Sequence, residues 1–222
     1  MSGPRYAQFC ALARAAEVIG ERWTLLIVRE LLLGPKRFSD LSQRLAGVSP
    51  TLLTSRLNAL IEAGVIRRET RAFNTQTYEL TEIGRGLQPA IRELIRWGGH
   101  FLFPMRSDDE FEPDWVLLGL DAIARREASP ATSILLQVRH KAKSSGFLVE
   151  GGRQGTTIAR SDGPGGATIE ARFDTLLRLI ATDLSIEEAE AGRLAKIEGS
   201  MQAARSLPLL FDLAGRRSGS PG

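Results

Sequence analysis

The stretch from Val48 to Ile66, VSPTLLTSRLNALIEAGVI, limits what this chain can fold into more than any other part of it. Ser49 offers a side-chain oxygen that can cap a helix, and Pro50 suits the first turn, where its missing N–H does no harm. At about 100° per residue, Leu53, Leu57, Leu60 and Ile61 project to one side. Thr51, Ser55, Asn58 and Glu62 project to the opposite side, with Thr54 beside them. Gly64 ends the helix and a strand-like run follows. A surface helix usually carries Lys and Glu on its outer face. This one carries short, uncharged hydrogen-bonding groups instead.

The neighbouring segments give that helix a setting. FCALARAAEVIG has Phe9, Leu12, Ala16 and Ile19 at helical spacing. RWTLLIVRELLLGP is apolar nearly all round and reads as a buried helix stopped by Gly34 and Pro35. FSDLSQRLAG is a short helix with Ser39 as candidate N-cap and Leu41 and Leu45 facing in. After the central helix, VIRRETRAFNTQTYELT reads as two strands around a turn near Ala72–Asn74. Arg67, Arg68 and Arg71 gather on its first strand and at its tip. Ile83, Leu87, Ala90, Leu94, Trp97 and Phe101 then alternate in steps of four and three, a seam for a partner helix.

Two short helices joined by a tight turn, the second leading into a hairpin, describe a winged helix-turn-helix. A helix entering the DNA major groove must be slim and must offer hydrogen-bonding groups to base edges, as Ser, Thr and Asn do. The hairpin arginines suit phosphate contacts, or reach into the minor groove. Lys36 and Arg37, ahead of the short helix, suit the DNA backbone. The candidate DNA-binding set is therefore Lys36, Arg37, Ser39, Ser49, Thr51, Thr54, Ser55, Arg56, Asn58, Arg67, Arg68, Arg71 and Asn74. Arg56 sits at the flank of the helix, where a salt bridge within the domain is the alternative. The same geometry also serves protein-interaction modules, and a solvated hairpin explains the arginines equally well.

Charge is shared unevenly. Residues 1–100 hold 14 Lys/Arg against 9 Asp/Glu, and residues 101–222 hold 15 against 17, so the halves carry +5 and −2. A basic first half fits a polyanionic partner.

CALARAAEVIGERWTLLIVRELLLGPKRFSDLSQRLAGVSPTLLTSRLNALIEAGVIRR, followed by YELTEIGRGLQPAIRELIRWG, closely resembles the HxlR-type winged-helix transcriptional regulators, relatives of the MarR group. The resemblance covers roughly residues 8–100. It implies a homodimer on inverted-repeat double-stranded DNA, more in the manner of a repressor. It also implies a dimer interface from the first and last helices of the domain, here Phe9, Leu12, Leu87, Leu94, Trp97 and Phe101. Thr51, Thr54, Ser55 and Arg56 match the recognition helix. Trp23 and Phe38 read as domain core. Some members of the family use a cysteine at the position of Cys10 as an oxidant sensor. Here Ala11 replaces the usual proline after it, and a buried packing residue is the alternative reading.

The second half needs its own explanation. PDWVLLGLDAIARRE reads as an amphipathic helix with Val116, Leu120 and Ile123 inward. ATSILLQVRH and GFLVEGGRQGTTIAR read as strands, the latter a hairpin turning near Gly151–Gly152. The order of strands followed by FDTLLRLIATDLSIEEAEAGRLAKIEGSMQAARSLPLLF resembles the sterol-carrier-protein-like α+β domain. That resemblance implies an apolar ligand cavity, for which Leu148, Ile158, Ile169, Leu176, Leu177, Ile180 and Leu184 are the candidates. Core packing is the alternative for the same residues.

The expected fold is thus α+β: a mainly helical winged helix-turn-helix domain over 1–103, a linker over 104–113, an α+β effector domain over 114–215 and a disordered tail over 216–222. Hydrophobic residues form 43% of the chain, enough to fill a core, yet no apolar run approaches the ~18 residues of a membrane span. The N-terminal segment lacks a basic-then-apolar signal pattern and there is one cysteine, so a cytoplasmic setting is expected. His100 and His140 have no ligand cluster at metal spacing, and no phosphate-binding glycine motif occurs. No enzyme activity and no cofactor are expected. The reading is a DNA-binding regulator gated by an apolar small molecule. The alternative is a carrier of hydrophobic ligands with the first domain as a dimerising scaffold.

Overall fold

The computed structural model describes residues 6–102, 109–141 and 143–213. The expected tail at 216–222, and the first half of the expected linker, lie outside the described residues. The chain divides into two units, Met1–Leu94 and Ile95–Gly222.

In the first unit, helix α1 spans Ala11–Ile19, α2 Thr24–Leu32, α3 Phe38–Arg44 and α4 Pro50–Glu62. Strands β1 (Ile66–Arg71) and β2 (Thr75–Leu80) pair antiparallel, from Ile66 opposite Leu80 to Arg71 opposite Thr75. Lys36 adds an isolated bridge to Tyr78, which ties the turn before α3 to the hairpin. The core is built as the apolar spacing requires: Ile27 and Val28 of α2, Leu41 of α3, and Leu53, Leu57 and Leu60 of α4 are all buried. Burying such side chains stabilises the fold by roughly 1.5–3 kcal/mol each. Glu30, with no exposed surface, lies among them and accepts ion pairs from Arg29 at 2.7 Å and from Arg44 at 3.5 Å. Arg44 belongs to α3, so this charge cluster fastens α2 to α3.

Two expectations need correction. Ser39 does not cap α3. The helix begins two residues earlier, at Phe38, and the Asp40 carboxylate accepts the Arg37 backbone N–H at 2.9 Å in the capping role. The apolar seam is not carried by one helix. It breaks into α5 (Glu82–Arg85), α6 (Gln88–Gly98) and a 3-10 turn at Gly99–Phe101. Thr81 caps α5 through its Oγ1, which accepts the Gly84 N–H at 3.1 Å and itself donates to the Gly64 carbonyl at 2.6 Å. At Gly84 a Cβ would stand 2.1 Å from the Val65 carbonyl oxygen, so this close approach excludes any larger residue. Pro89 falls in the first turn of α6, where a helix restarts without needing its N–H.

The second unit begins within α6. Helix α7 spans Trp115–Ile123, and β3 (Thr132–His140), β4 (Lys143–Gly152), β5 (Gly155–Arg160), β6 (Ala167–Arg172) and β7 (Ala195–Gly199) form one sheet. Its order is β5-β4-β3-β6-β7, with β3 and β6 parallel and the other pairs antiparallel. Helices α8 (Phe173–Ile180), α9 (Ile186–Ala191) and α10 (Met201–Arg205) complete the unit. Alternation sorts the strands: Ile134, Leu136, Val138, Phe147, Val149 and Ile169 enter a common core with Val116, Leu120, Leu176 and Leu210.

For most of the seven cavity candidates, the core-packing alternative is the arrangement found. Ile169, Leu176, Ile180 and Leu184 are packed core residues, and Ile158 packs against the same core. Leu148 pairs with Leu135 between the core residues Phe147 and Val149, so it points to the other face of the sheet. Of the seven, Leu177 lines the apolar pocket beside α7 and α8.

Candidate nucleic-acid interface

Helix α4 is fixed at its start by Ser49, whose Oγ accepts the Leu52 N–H at 3.2 Å, with Pro50 in the first turn. Its three buried leucines turn Thr51, Thr54, Ser55 and Asn58 to solvent. Among the described residues, the side chains of Thr51, Ser55 and Asn58 make no hydrogen bond and stand open to an incoming donor or acceptor. Thr54 differs. Its Oγ1 donates to the Pro50 carbonyl at 2.9 Å, so it presents only lone pairs outward. No charged side chain stands on the first two turns of this face, Pro50 to Ser55, and nothing there repels a phosphate.

Arg56 has turned away from that face. Its Nη2 lies 2.7 Å from Glu21 Oε2, and its Nε is buried with no partner. The domain salt bridge that the sequence left open is thus the arrangement found, joining α4 to the residues between α1 and α2. Lys36 is likewise committed: its ammonium donates to the carbonyls of Gly34 at 3.2 Å and Leu33 at 3.4 Å. It places positive charge at the C-terminal end of α2, where the helix dipole favours it. Arg37 and Ser39 are exposed beside this corner.

The hairpin holds its arginines in two groups. Arg67 and Arg71 share one face with Glu79, which accepts from Arg67 Nε at 2.7 Å and from Arg71 Nη2 at 3.1 Å. The hydrogen bond from Arg67 holds the Glu79 carboxyl below its ordinary range. Arg68 lies on the other face, 3.3 Å from the Tyr78 hydroxyl and 5.4 Å from its ring centre. At the tip, Phe73 and Asn74 take positive φ angles of 58° and 57°. Phe73 is fully exposed there, at 101%. Sequence reading passed over it, although a lone aromatic inside a turn was the available signal. It also passed over Glu21 and Glu79, the carboxylates that occupy Arg56 and the hairpin arginines.

The proposed partner-facing residues are uncovered in the single chain. Phe9 is 108% exposed and Leu12 77%, while Leu94, Trp97 and Phe101 are exposed and Leu87 is half-buried. Trp97 and Phe101 meet edge to face at 5.1 Å. Cys10 is exposed in the single chain, immediately before α1. No described group of His, Cys, Asp and Glu could hold a metal ion, and no described helix is long and apolar enough to cross a membrane.

Comparison with known proteins bears on this geometry. The HxlR-like helix-turn-helix family matches residues 18–106. A helix-turn-helix-type transcriptional regulator of Mycobacterium bovis is 44% identical over 94 residues, 41% of this chain and 59% of its own length. This chain therefore spans less than two thirds of that relative. The regulator YkvN of Bacillus subtilis is 30% identical over 105 residues, 46% of this chain and 89% of its own length. The structure of the reduced form of the transcriptional regulator YodB from B. subtilis is 29% identical, covers 45% of this chain and 100% of its own, and has a TM-score of 0.39.

Proposed function

The chain belongs to the HxlR-like helix-turn-helix family, and on that premise we propose that it is a sequence-specific DNA-binding regulator acting as a homodimer on inverted-repeat operators. The observation that carries this reading is the outer face of α4, where Thr51, Ser55 and Asn58 stand open on a capped, rigidly seated helix. Ser and Thr hydroxyls bond either donors or acceptors on base edges, and Asn suits adenine. Thr54, offering acceptors, suits the amino groups of cytosine or adenine. Arg37, Ser39 and Ser49 flank the helix and suit phosphates. Arg68 and Asn74 suit the backbone beside the hairpin, with Arg67 and Arg71 contributing less because Glu79 already holds them.

The homodimer is supported by the exposed apolar residues Phe9, Leu12, Leu94, Trp97 and Phe101, which water covers poorly and a second copy would cover well. Repression, in the cytoplasm, follows if the bound dimer blocks transcription. The C-terminal unit, a five-stranded sheet with helices packed on its core face, supports a sterol-carrier-like reading with an effector domain over 114–215 that gates DNA binding. The relatives are named as transcriptional regulators, which favours this reading over a lipid carrier. Selection of bound sequences from a random DNA pool tests it. A two-fold-symmetric consensus with half-sites about one helical turn apart is expected. Recovery of no consensus overturns sequence-specific binding.

A further inference from the structure

Among the described residues of the second unit, an apolar pocket partly open to solvent is left by the core packing. It has a volume of about 230 Å³, beside the end of α6, α7 and α8. Ile95, Ile123, Phe173 and Leu177 supply much of its wall, and the polar lining residues are Arg96, His100 and Asp212.

Two independent observations give this space a purpose. The first is Gly119, in the middle of α7 and on the cavity wall. Glycine is the poorest interior helix residue after proline. Here neither backbone nor packing asks for it: φ is not positive, and a Cβ would meet nothing within 4 Å. Gly99, on the same wall, has the same freedom. The missing side chains leave the cavity open. The second is Arg96. It is half-buried, gives Nη1 to the Ala122 carbonyl at 3.3 Å, and has no carboxylate partner among the described residues. Asp212, by contrast, is already engaged within the protein.

We propose that this cavity binds a small amphipathic carboxylate, its apolar body against Ile123, Phe173 and Leu177 and its carboxylate on Arg96. An apolar cavity of about 150 Å³ takes up benzene, so this one suits an apolar body of about ten non-hydrogen atoms. The planar guanidinium fork matches a carboxylate better than any other anion-binding side chain. A regulatory consequence rests on the DNA-binding reading above; the site itself does not.

Titration calorimetry of the full chain with octanoate, 1-octanol and octylamine tests the site. Octanoate is expected to bind saturably, one per chain, and more tightly than octylamine. Arg96→Gln should weaken octanoate at least about tenfold, the value of one charge-assisted bond, and leave octanol unchanged. Gly119→Leu should abolish binding of both, while Gly119→Ala should melt no lower than the parent. If Gly119→Leu fails to fold, the octanoate-to-octanol split in Arg96→Gln still decides. Absence of saturable octanoate binding overturns the proposal, as do octylamine binding equally well and Arg96→Gln affecting both ligands alike. Operator binding is measured in parallel. A protein that binds operator and no octanoate loses this site and keeps its regulatory reading. One that binds octanoate and no operator keeps the site and loses that reading.

Discussion

The outer face of α4 and the basic strand of the hairpin are both polar surfaces suited to DNA, yet they are built in opposite ways. On α4, Thr51, Ser55 and Asn58 have no partner among the described residues, and the helix beneath them is locked by buried leucines. On the hairpin, Arg67 and Arg71 are gripped by Glu79, and Arg68 leans on Tyr78. One surface is rigid and open; the other is charged and already occupied. The difference teaches that a count of basic residues overstates what the hairpin has to offer; on the proposed function, discrimination between sequences would rest with the helix.

That contrast can be broken at its foundation first. Leu57→Ala removes a fully buried side chain beneath the open face and should destabilise the first unit by about 2–5 kcal/mol, read by denaturant unfolding. A small loss would mean that the helix is not rigidly seated. The hairpin gives the next effect. Glu79→Gln should release Arg71 and leave Arg67 on Glu69, 3.0 Å away, raising non-specific DNA affinity and steepening its salt dependence by about one phosphate contact. Unchanged salt dependence would mean that Arg71 does not reach DNA even when freed. Acid should act in the same direction. Because the Glu79 carboxyl titrates below its ordinary range, its contribution to hairpin stability is fully present above the ordinary value and is lost as pH falls through the lowered one. Amide exchange of β1 and β2 against pH would show this.

Smaller effects sharpen the boundary of the helix face. Arg56→Ala and Glu21→Ala should each weaken stability slightly, and their double-mutant cycle should give a coupling of about 0.2–1 kcal/mol. A large loss of operator affinity in Arg56→Ala alone would return Arg56 to the DNA-facing set. Least of all, Cys10→Ser under reducing conditions should change stability and operator affinity by less than about twofold, as exposed substitutions usually do.

The elements of the first unit were legible because their signals are local. Ser49 and Pro50 mark the start of α4, the leucine spacing sets its buried face, and Gly64, at φ +70°, marks its end. What escaped depends on residues far apart in the chain. Arg56 meets Glu21 thirty-five positions away, and the approach of Gly84 to Val65 breaks a seam that spacing alone would continue. Ser39 looked like a cap because Ser usually is one, but the Leu41 N–H it would hold already bonds the Arg37 carbonyl, and the helix starts ahead of it with Asp40 accepting the Arg37 N–H. In the second unit the apolar runs correctly marked strands and helices. They could not distinguish a cavity wall from a packed core, because both demand the same residues. The informative residue there was Gly119, which the helical pattern tolerated without comment.

The most direct test compares specific with non-specific binding. Affinities for the selected consensus and for a scrambled duplex are measured at one salt concentration, for the parent and for the Thr51→Ala/Ser55→Ala double variant. Two lost base contacts of about 1–3 kcal/mol each should lower the ratio of the two affinities by about thirtyfold or more, with scrambled binding unchanged. An unchanged ratio, or an equal loss on both duplexes, would contradict base reading by the open face of α4.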